Sequence, residues 1–216
     1  MRVSKGEIFE RVFINEPSLD LRIIQEAGSK VKIHILYLPE QSTSLSCREG
    51  RGEVSIEQAG EGCTTEIYAL AFLHGNESVS LETHVTHAVG GGASNQLVKF
   101  VLDDNARGTF LGDLKIAPDA QHTEAHQTNR NLLLSESAEM RTRPQLEIYA
   151  DDVQATHGAS TGQLDEAAIF YMQQRGISKQ KARQLLVNAF MKEVIETISD
   201  EEIKANCLTF FEEEPF

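Results

Sequence analysis

The chain has 216 residues and a formal net charge of −13 at pH 7, with 40% hydrophobic and 25% charged residues. This composition is ordinary for a globular protein, and the length suffices for one large domain or for a main domain with a small one. The negative charge argues against a nucleic-acid partner, because acidic side chains repel the phosphate backbone. No window of 18 apolar residues and no apolar signal region occur, so we expect neither a membrane span nor secretion.

The amino-terminal three quarters of the chain have a sequence pattern that predicts consecutive β-strands. Short runs alternate apolar with polar residues, as strands do when one face is buried and the other is wet. Glycine and Asp-Asn clusters separate the runs and predict turns. The clearest runs are residues 19–23 (LDLRI), 31–35 (VKIHI), 53–57 (EVSIE), 78–82 (SVSLE), 114–116 (LKI) and 146–149 (LEIY).

Many short strands fit a sandwich, a barrel or a solenoid equally well, and periodicity does not choose among them. No repeated sequence motif singles out the solenoid. The residues therefore predict a mainly β body over 1–160 and leave its architecture open.

The spacing of apolar residues becomes helical after Gly162, which predicts a small helical subdomain over residues 161–216. Gly176 ends a first helix and Ser178 caps a second. Residues 199–202 (SDEE) form a capping-box pattern for a third. The apolar positions expected to pack in the second helix are Ala182, Leu185, Leu186, Ala189, Phe190 and Val194.

Cysteine usage points to a reducing compartment. Cys47, Cys63 and Cys207 are odd in number and far apart, which is not the pattern of a disulfide framework. No CxxC pair occurs, so the sequence indicates no self-contained cysteine-ligated zinc or iron–sulfur site. We expect no stably bound cofactor.

Sequence motifs of common enzyme classes are missing. The chain contains no GxxxxGK[ST] loop, no GxSxG elbow, no HExxH helix and no GxGxxG run before a helix. The residues therefore predict a chain without catalytic chemistry of its own.

Three histidine features are candidates for a metal site, because imidazole is a common metal ligand. His84 and His87 fall on opposite faces of a strand, which disfavours chelation by that pair. His122 and His126 share a strand face two steps apart. His157 stands at the junction of the strands and the helices, beside a glycine that permits close approach.

Residues from about Lys115 to Phe190 resemble the SufB/SufD family, and the His-Gly-Ala pattern at 157–159 resembles its SufD branch. The resemblance rests on the order and spacing of several segments taken together. They are residues 128–135 (TNRNLLLS), 144–153 (PQLEIYADDV), 157–166 (HGASTGQLDE) and 170–177 (FYMQQRGI).

This resemblance implies a right-handed parallel β-helix with a carboxy-terminal helical subdomain. It also implies a cytoplasmic, non-catalytic scaffold that pairs with SufB and docks the ABC-type ATPase SufC. A transient iron–sulfur cluster would form at the SufB–SufD interface, with His157 as a participant. Phe170, Tyr171 and Phe190 are the aromatic candidates for docking SufC through the helices.

Two departures from the family pattern leave other functions open. Ala155 stands where relatives often carry a cysteine, and the chain looks short at its amino terminus. A free-standing metalloprotein using His122, His126 or His157 is one alternative. A homo-oligomeric interaction module without cluster chemistry is the other, because an open solenoid end invites dimerisation.

Overall fold

The computed structural model describes residues 1–39 and 49–213, which form β-strands followed by three helices. The strands are β1 (Arg2–Val3), β2 (Ile8–Ile14), β3 (Ser18–Gln25), β4 (Lys30–Tyr37), β5 (Glu49–Gln58), β6 (Thr64–Leu73), β7 (Ser78–His87), β8 (Ala93–Leu102), β9 (Arg107–Ile116), β10 (Thr123–Leu133), β11 (Glu139–Ile148) and β12 (Val153–Gly162). The helices are α1 (Glu166–Gln173), α2 (Lys179–Ile195) and α3 (Glu201–Glu213).

Consecutive strands alternate between two sheets, and every strand pairs in parallel with the strand two positions away in sequence. The first sheet runs β1-β3-β5-β7-β9-β11, and the second runs β12-β10-β8-β6-β4-β2. The chain therefore winds as a parallel β-solenoid of about five turns, which confirms the predicted fold class. Parallel pairing decides between the solenoid and the sandwich, whose sheets are antiparallel.

The interior of the solenoid is filled by alternate residues of both sheets. Ile33, Ile67 and Val98 of the second sheet and Val54 and Phe110 of the first are fully buried there. The register stacks equivalent positions in rows along the solenoid axis, so each interior row has one residue per turn. A polar residue in such a row therefore meets the residues directly before and after it.

The outer face of the second sheet is covered by the helices. Leu36, Leu70, Phe72 and Val101 point outward and pack with α2 and α3 in a second apolar cluster. This sheet is consequently apolar on both faces, and several of its strands lack the alternation by which half-buried strands are recognised. None of the described helices is long and apolar enough to cross a membrane.

Helix starts follow the predicted capping chemistry in part. The backbone N–H of Lys181 donates to Ser178 Oγ at 3.2 Å, as expected for α2. At α3 the cap is Asp200, whose Oδ1 accepts from Glu202 and Ile203 N–H at 3.0 Å, instead of Ser199. The last strand ends at Gly162, and the first helix begins at Glu166.

The predicted buried face of α2 is wrong at two positions. Leu185 is 41% exposed and Ala189 is exposed, whereas the buried apolar residues are Ala182, Val187, Met191, Val194 and Ile195. Three apolar residues occur in succession at 185–187, so helical spacing permits more than one packed face. The covered sheet and α3 select the face that includes Val187.

Candidate functional site

His157 lies at the carboxy-terminal end of the solenoid, on β12. This strand pairs with β10 along one edge, and no described strand lies along its other edge. The register sets His157 beside Gln127, whose side chain is buried in the interior. His157 therefore belongs to an interior row but is itself exposed, because no further turn covers it.

The interior row that ends at His157 changes from apolar to polar along the solenoid. From β4 to β12 it contains, in order, Ile33, Ile67, Gln96, Gln127 and His157, one residue per strand, and β2 contributes the exposed Arg11 to the same row. Each of the four residues from Ile33 to Gln127 is at most 1% exposed. A polar path thus leads from the middle of the solenoid to the exposed imidazole.

The other predicted ligand histidines do not join His157. His122 sits in a turn with a left-handed φ of 59°, and its Nδ1 lies 2.9 Å from Asp152 Oδ2. His126 faces outward, with Nδ1 2.8 Å from the hydroxyl of Thr156. Within residues 1–39 and 49–213, no three His, Cys, Asp or Glu side chains are grouped as metal ligands.

His84 and His87 lie on opposite faces, as their spacing predicts. His84 is on the outer surface, with Nδ1 2.9 Å from Asp113 Oδ2. His87 is fully buried, with Nε2 2.8 Å from the hydroxyl of Ser94, and burial lowers its pKa to about 4. The two imidazoles therefore have separate partners and do not form one site.

The described cysteines serve packing. Cys63 is buried, and its Sγ donates to the carbonyl oxygens of Glu26 and Gly60 at 3.2 and 3.1 Å. Cys207 is buried on α3, where burial raises the pKa of its thiol. Cys47 lies outside the described residues.

The three candidate docking aromatics occupy different environments. Phe170 and Tyr171 project from α1 and are 62% and 58% exposed. Phe190 instead packs against the apolar cluster beneath α2, and the Lys99 ammonium lies 4.4 Å from the centre of its ring. The structure thus leaves an exposed aromatic pair on α1 and assigns Phe190 to internal packing.

Lys99 anchors α2 to the solenoid, a role that the sequence patterns did not predict. Its side chain is only 1% exposed, and Nζ donates to the carbonyl oxygen of Phe190 at 2.7 Å. It also forms an ion pair with Glu193, which Arg130 contacts at 3.2 Å. The one available signal is a lysine inside the apolar run 97–102 (LVKFVL).

A cleft of about 650 Å³ on the outer face of the first sheet contains none of these residues. It is lined mainly by hydroxyl and charged side chains, including Ser80, Thr109 and Arg107. It lies along the first sheet, whereas His157 is on the second, so it adds nothing to that site.

Comparison with known proteins assigns the family. The family model described as "SUF system FeS cluster assembly, SufBD core domain" matches residues 20–190. The chain is 40% identical over 158 residues to the iron–sulfur cluster assembly protein SufD of Escherichia coli K12. It is 40% identical over 157 residues to an iron–sulfur cluster assembly SufBD family protein of Synechocystis. It is 32% identical over 163 residues to the SufD of Plasmodium falciparum.

These matches cover 73%, 72% and 74% of the chain but only 37%, 34% and 11% of the three relatives. The chain therefore corresponds to about a third or less of each of these proteins. The matched region contains the strands that carry Lys99, Gln127 and His157, and most of α2. The chain belongs to the SufBD family of SUF iron–sulfur cluster assembly proteins, as a SufD-like member.

Proposed function

We propose that this chain is a non-catalytic, SufD-like scaffold subunit in the cytoplasm, pairing with a SufB-like protein and docking a SufC-like ATPase. The observation that carries the proposal is the open carboxy-terminal end of the solenoid. There β12 has one edge without a described strand, and His157 stands exposed on an interior row. Such an end supports association, because an added strand would continue the ladder and cover the row.

The sequence of β12 suits a strand that accepts a partner. Residues 153–162 (VQATHGASTG) have no proline and no charged residue, which are the usual devices that prevent edge pairing. Small side chains at Ala155, Ala159 and Gly158 leave room for a neighbouring chain. The adjacent end strand β11 differs, since it carries Pro144 and several charges.

His157 would contribute one ligand to a cluster under assembly at this interface. The cluster is the cargo of the machine, so a scaffold subunit needs to supply only part of the ligand set. A neutral imidazole is a suitable nitrogen donor for iron. With alanine at position 155, the remaining ligands in this proposal come from the partner.

The exposed pair Phe170 and Tyr171 would dock the ATPase. Two adjacent large aromatic side chains exposed on a short helix are typical of an interface anchor. Their helix packs on α2, which Lys99 and Glu193 tie to the solenoid. A movement of the ATPase would therefore be passed to the solenoid through packed and ion-paired elements.

The first test mixes the chain with the SufC-like and SufB-like proteins of its own genome and measures mass by size-exclusion chromatography with light scattering. We expect a defined complex. Phe170→Ala combined with Tyr171→Ala should remove the ATPase while retaining the SufB-like partner. Gln180→Ala, an exposed change at the start of α2, is the matched control.

The second arm tests the open end. Ala159→Lys puts a charge on the inward face of β12, where a covering partner would bury it at a cost of several kcal/mol. Ser160→Lys puts the same charge on the outward face of the same strand. We expect Ala159→Lys to weaken pairing with the SufB-like protein at least about tenfold more than Ser160→Lys does. Equal affinities, or no complex formed by the folded wild-type chain, would contradict the proposal. A dimer of the chain alone, disrupted by Ala159→Lys, would instead favour the homo-oligomeric module.

A further inference from the structure

We propose that Gln127 is a positioning residue for His157, holding one tautomer of its imidazole by a hydrogen bond along the interior row. The use of that tautomer in cluster assembly rests on the proposed function. The hydrogen bond itself involves only this chain, so it can be tested without any partner protein.

The first observation is that the Gln127 amide is buried without a partner. The residue is 1% exposed, and neither Nε2 nor Oε1 has a hydrogen bond within the part of the chain that the structure describes. A buried amide without hydrogen-bond partners is costly, because its polar atoms lose their bonds to water. Such a group calls for a use that packing alone does not supply.

The second observation is that packing does not require glutamine in this row. Ile33 and Ile67 fill the equivalent positions two and three strands earlier and are fully buried. Among the buried positions of the row, only Gln96 and Gln127 are polar, and they are the two that precede His157. The buried polar residues of this row are thus the two nearest the imidazole.

The third observation concerns what the Gln127 amide can reach. Across the interior lies Gly112, close enough that a Cβ on it would come within 2.5 Å of Gln127 Nε2. Glycine has no polar side chain, and the next residue of that opposite row is Pro144. These two residues therefore offer the Gln127 amide no side-chain partner from across the solenoid. In the same opposite row, Thr83 lies one turn before Gly112, with a buried hydroxyl that has no hydrogen bond among the described residues. Asn129, two residues on in the strand of Gln127, already donates to the Val98 carbonyl and to Asn131.

Along its own row the neighbours of Gln127 are Gln96 on one side and His157 on the other. Adjacent strands are about 4.8 Å apart, so a glutamine amide can bridge to the next side chain by a small rotation. Gln96 is equally buried, and its amide likewise has no partner among residues 1–39 and 49–213. A bond from Gln96 would orient the Gln127 amide and so define which group it offers to His157.

The consequence of such a hydrogen bond is that the His157 imidazole has one defined tautomer. A neutral histidine has one donor and one acceptor nitrogen, and a hydrogen bond to either one determines which nitrogen carries the proton. The other nitrogen then keeps its lone pair for a metal. Residues behind a metal-binding histidine commonly act in this way.

The test is nitrogen NMR of the isolated chain, comparing the wild type with Gln127→Leu. The long-range couplings of the histidine rings report the tautomer directly, and His157→Gln identifies the His157 signal. We expect one dominant His157 tautomer in the wild type. In Gln127→Leu the ratio of the two tautomers should change about tenfold, which corresponds to the free energy of one hydrogen bond. Gln145→Leu, a change of the same type on the outward face of β11, should leave the ratio unchanged.

The stability of the variant supplies a second readout. A hydrogen bond to the exposed imidazole contributes little to folding, so Gln127→Leu should keep a melting temperature close to that of the wild type. Gln127→Met is the alternative if leucine prevents folding. An unchanged His157 tautomer in a folded variant would overturn the inference. Failure of the wild-type chain to bind its partners would overturn the proposed function but leave this result intact.

Discussion

His34 and His87 show how the interior controls the charge of single residues. Both are fully buried, and burial is the main cause that lowers the pKa of each to about 4. His34 also lies 2.9 Å from the hydroxyl of Thr197 and stacks on Tyr68, so it joins the solenoid to the segment after α2. Both imidazoles are consequently neutral in the folded protein at pH 7.

The burial of these two histidines predicts that the folded protein becomes less stable as the pH falls. In the unfolded chain a histidine takes up a proton below about pH 6.5, whereas these two take one up in the folded protein only near pH 4. The unfolded state therefore binds more protons between these values, and the free energy of unfolding falls as pH drops from 6.5 to 4. Each of the two histidines should lower the free energy of unfolding by about 2 kcal/mol between pH 7.5 and pH 5. Urea unfolding at the two pH values measures this decrease.

The contribution of His87 can be isolated by His87→Asn, which keeps a polar group near Ser94 but does not titrate. The variant should lose about 2 kcal/mol less than the wild type between pH 7.5 and pH 5. Gln180→Asn, an exposed change of a side chain that does not titrate, is the control and should retain the wild-type pH dependence. An identical pH dependence in His87→Asn and the wild type would contradict the prediction.

Sequence reasoning at this scale worked where local geometry was sufficient. Strand alternation correctly separated His84 from His87, because opposite faces follow from the backbone alone. It did not distinguish the environments of His126 and His157, which lie on opposite faces of neighbouring strands. That difference depends on the register between β10 and β12, which is a tertiary property.

At the scale of elements, the attachment of α2 rests on one buried ammonium. Lys99 reaches out of the sheet into the helix, and Glu193 supplies its carboxylate partner. We predict that Glu193→Ala destabilises the protein by about 1–3 kcal/mol, because the desolvated ammonium keeps only the Phe190 carbonyl and ring. Urea unfolding gives the loss, and amide hydrogen exchange should show it concentrated in α2.

Glu196→Ala on the same helix is the control for that prediction. Glu196 pairs with Lys192 at 3.3 Å on the exposed face of α2, where such pairs contribute less than about 0.5 kcal/mol. An equal decrease in the free energy of unfolding for the two variants would contradict the prediction, because the buried Lys99 ion pair would then contribute no more than an exposed one. The comparison also tests whether the helices and the solenoid are energetically coupled.

The elements themselves were unequally predictable. The quoted runs of alternating residues fall in strands of both sheets, but residues 67–73 are all apolar and residues 97–102 are apolar except for Lys99. Their pattern is ambiguous because α2 and α3 cover the second face. The packed side of α2 was misassigned at Leu185 and Ala189 for the same reason, since the partner surface chooses between competing apolar faces.

At the scale of the whole molecule, the helices protect the second sheet. Without residues 163–216, the outward residues Leu36, Leu70, Phe72 and Val101 would face water as one apolar patch. We predict that the chain truncated after Gly162 aggregates and binds a hydrophobic dye, as measured by light scattering and fluorescence. A monodisperse truncated chain with unchanged β signal in circular dichroism would contradict this.

That expectation also decides how partner docking should be examined. Loss of a complex on deleting the helices would not distinguish a missing docking surface from an exposed, aggregating sheet. The point changes at Phe170 and Tyr171 avoid this ambiguity, because both side chains are largely exposed and bury little apolar surface in the chain itself. They therefore test docking without removing the cover of the sheet.

The sequence by itself determined the β body, the turn glycines, the three helices after Gly162, the absence of common catalytic motifs and the resemblance to the SufB/SufD family. Each of these depends on short-range spacing or on several motifs in order. Only the tertiary structure decided that Gln96, Gln127 and His157 form one interior row, that Lys99 lies beneath α2, and that Phe190 packs inward while Phe170 and Tyr171 remain exposed. These juxtapositions join residues about 30 or more positions apart, and they arise from the register of parallel strands and the surface on which a helix packs, neither of which local periodicity encodes.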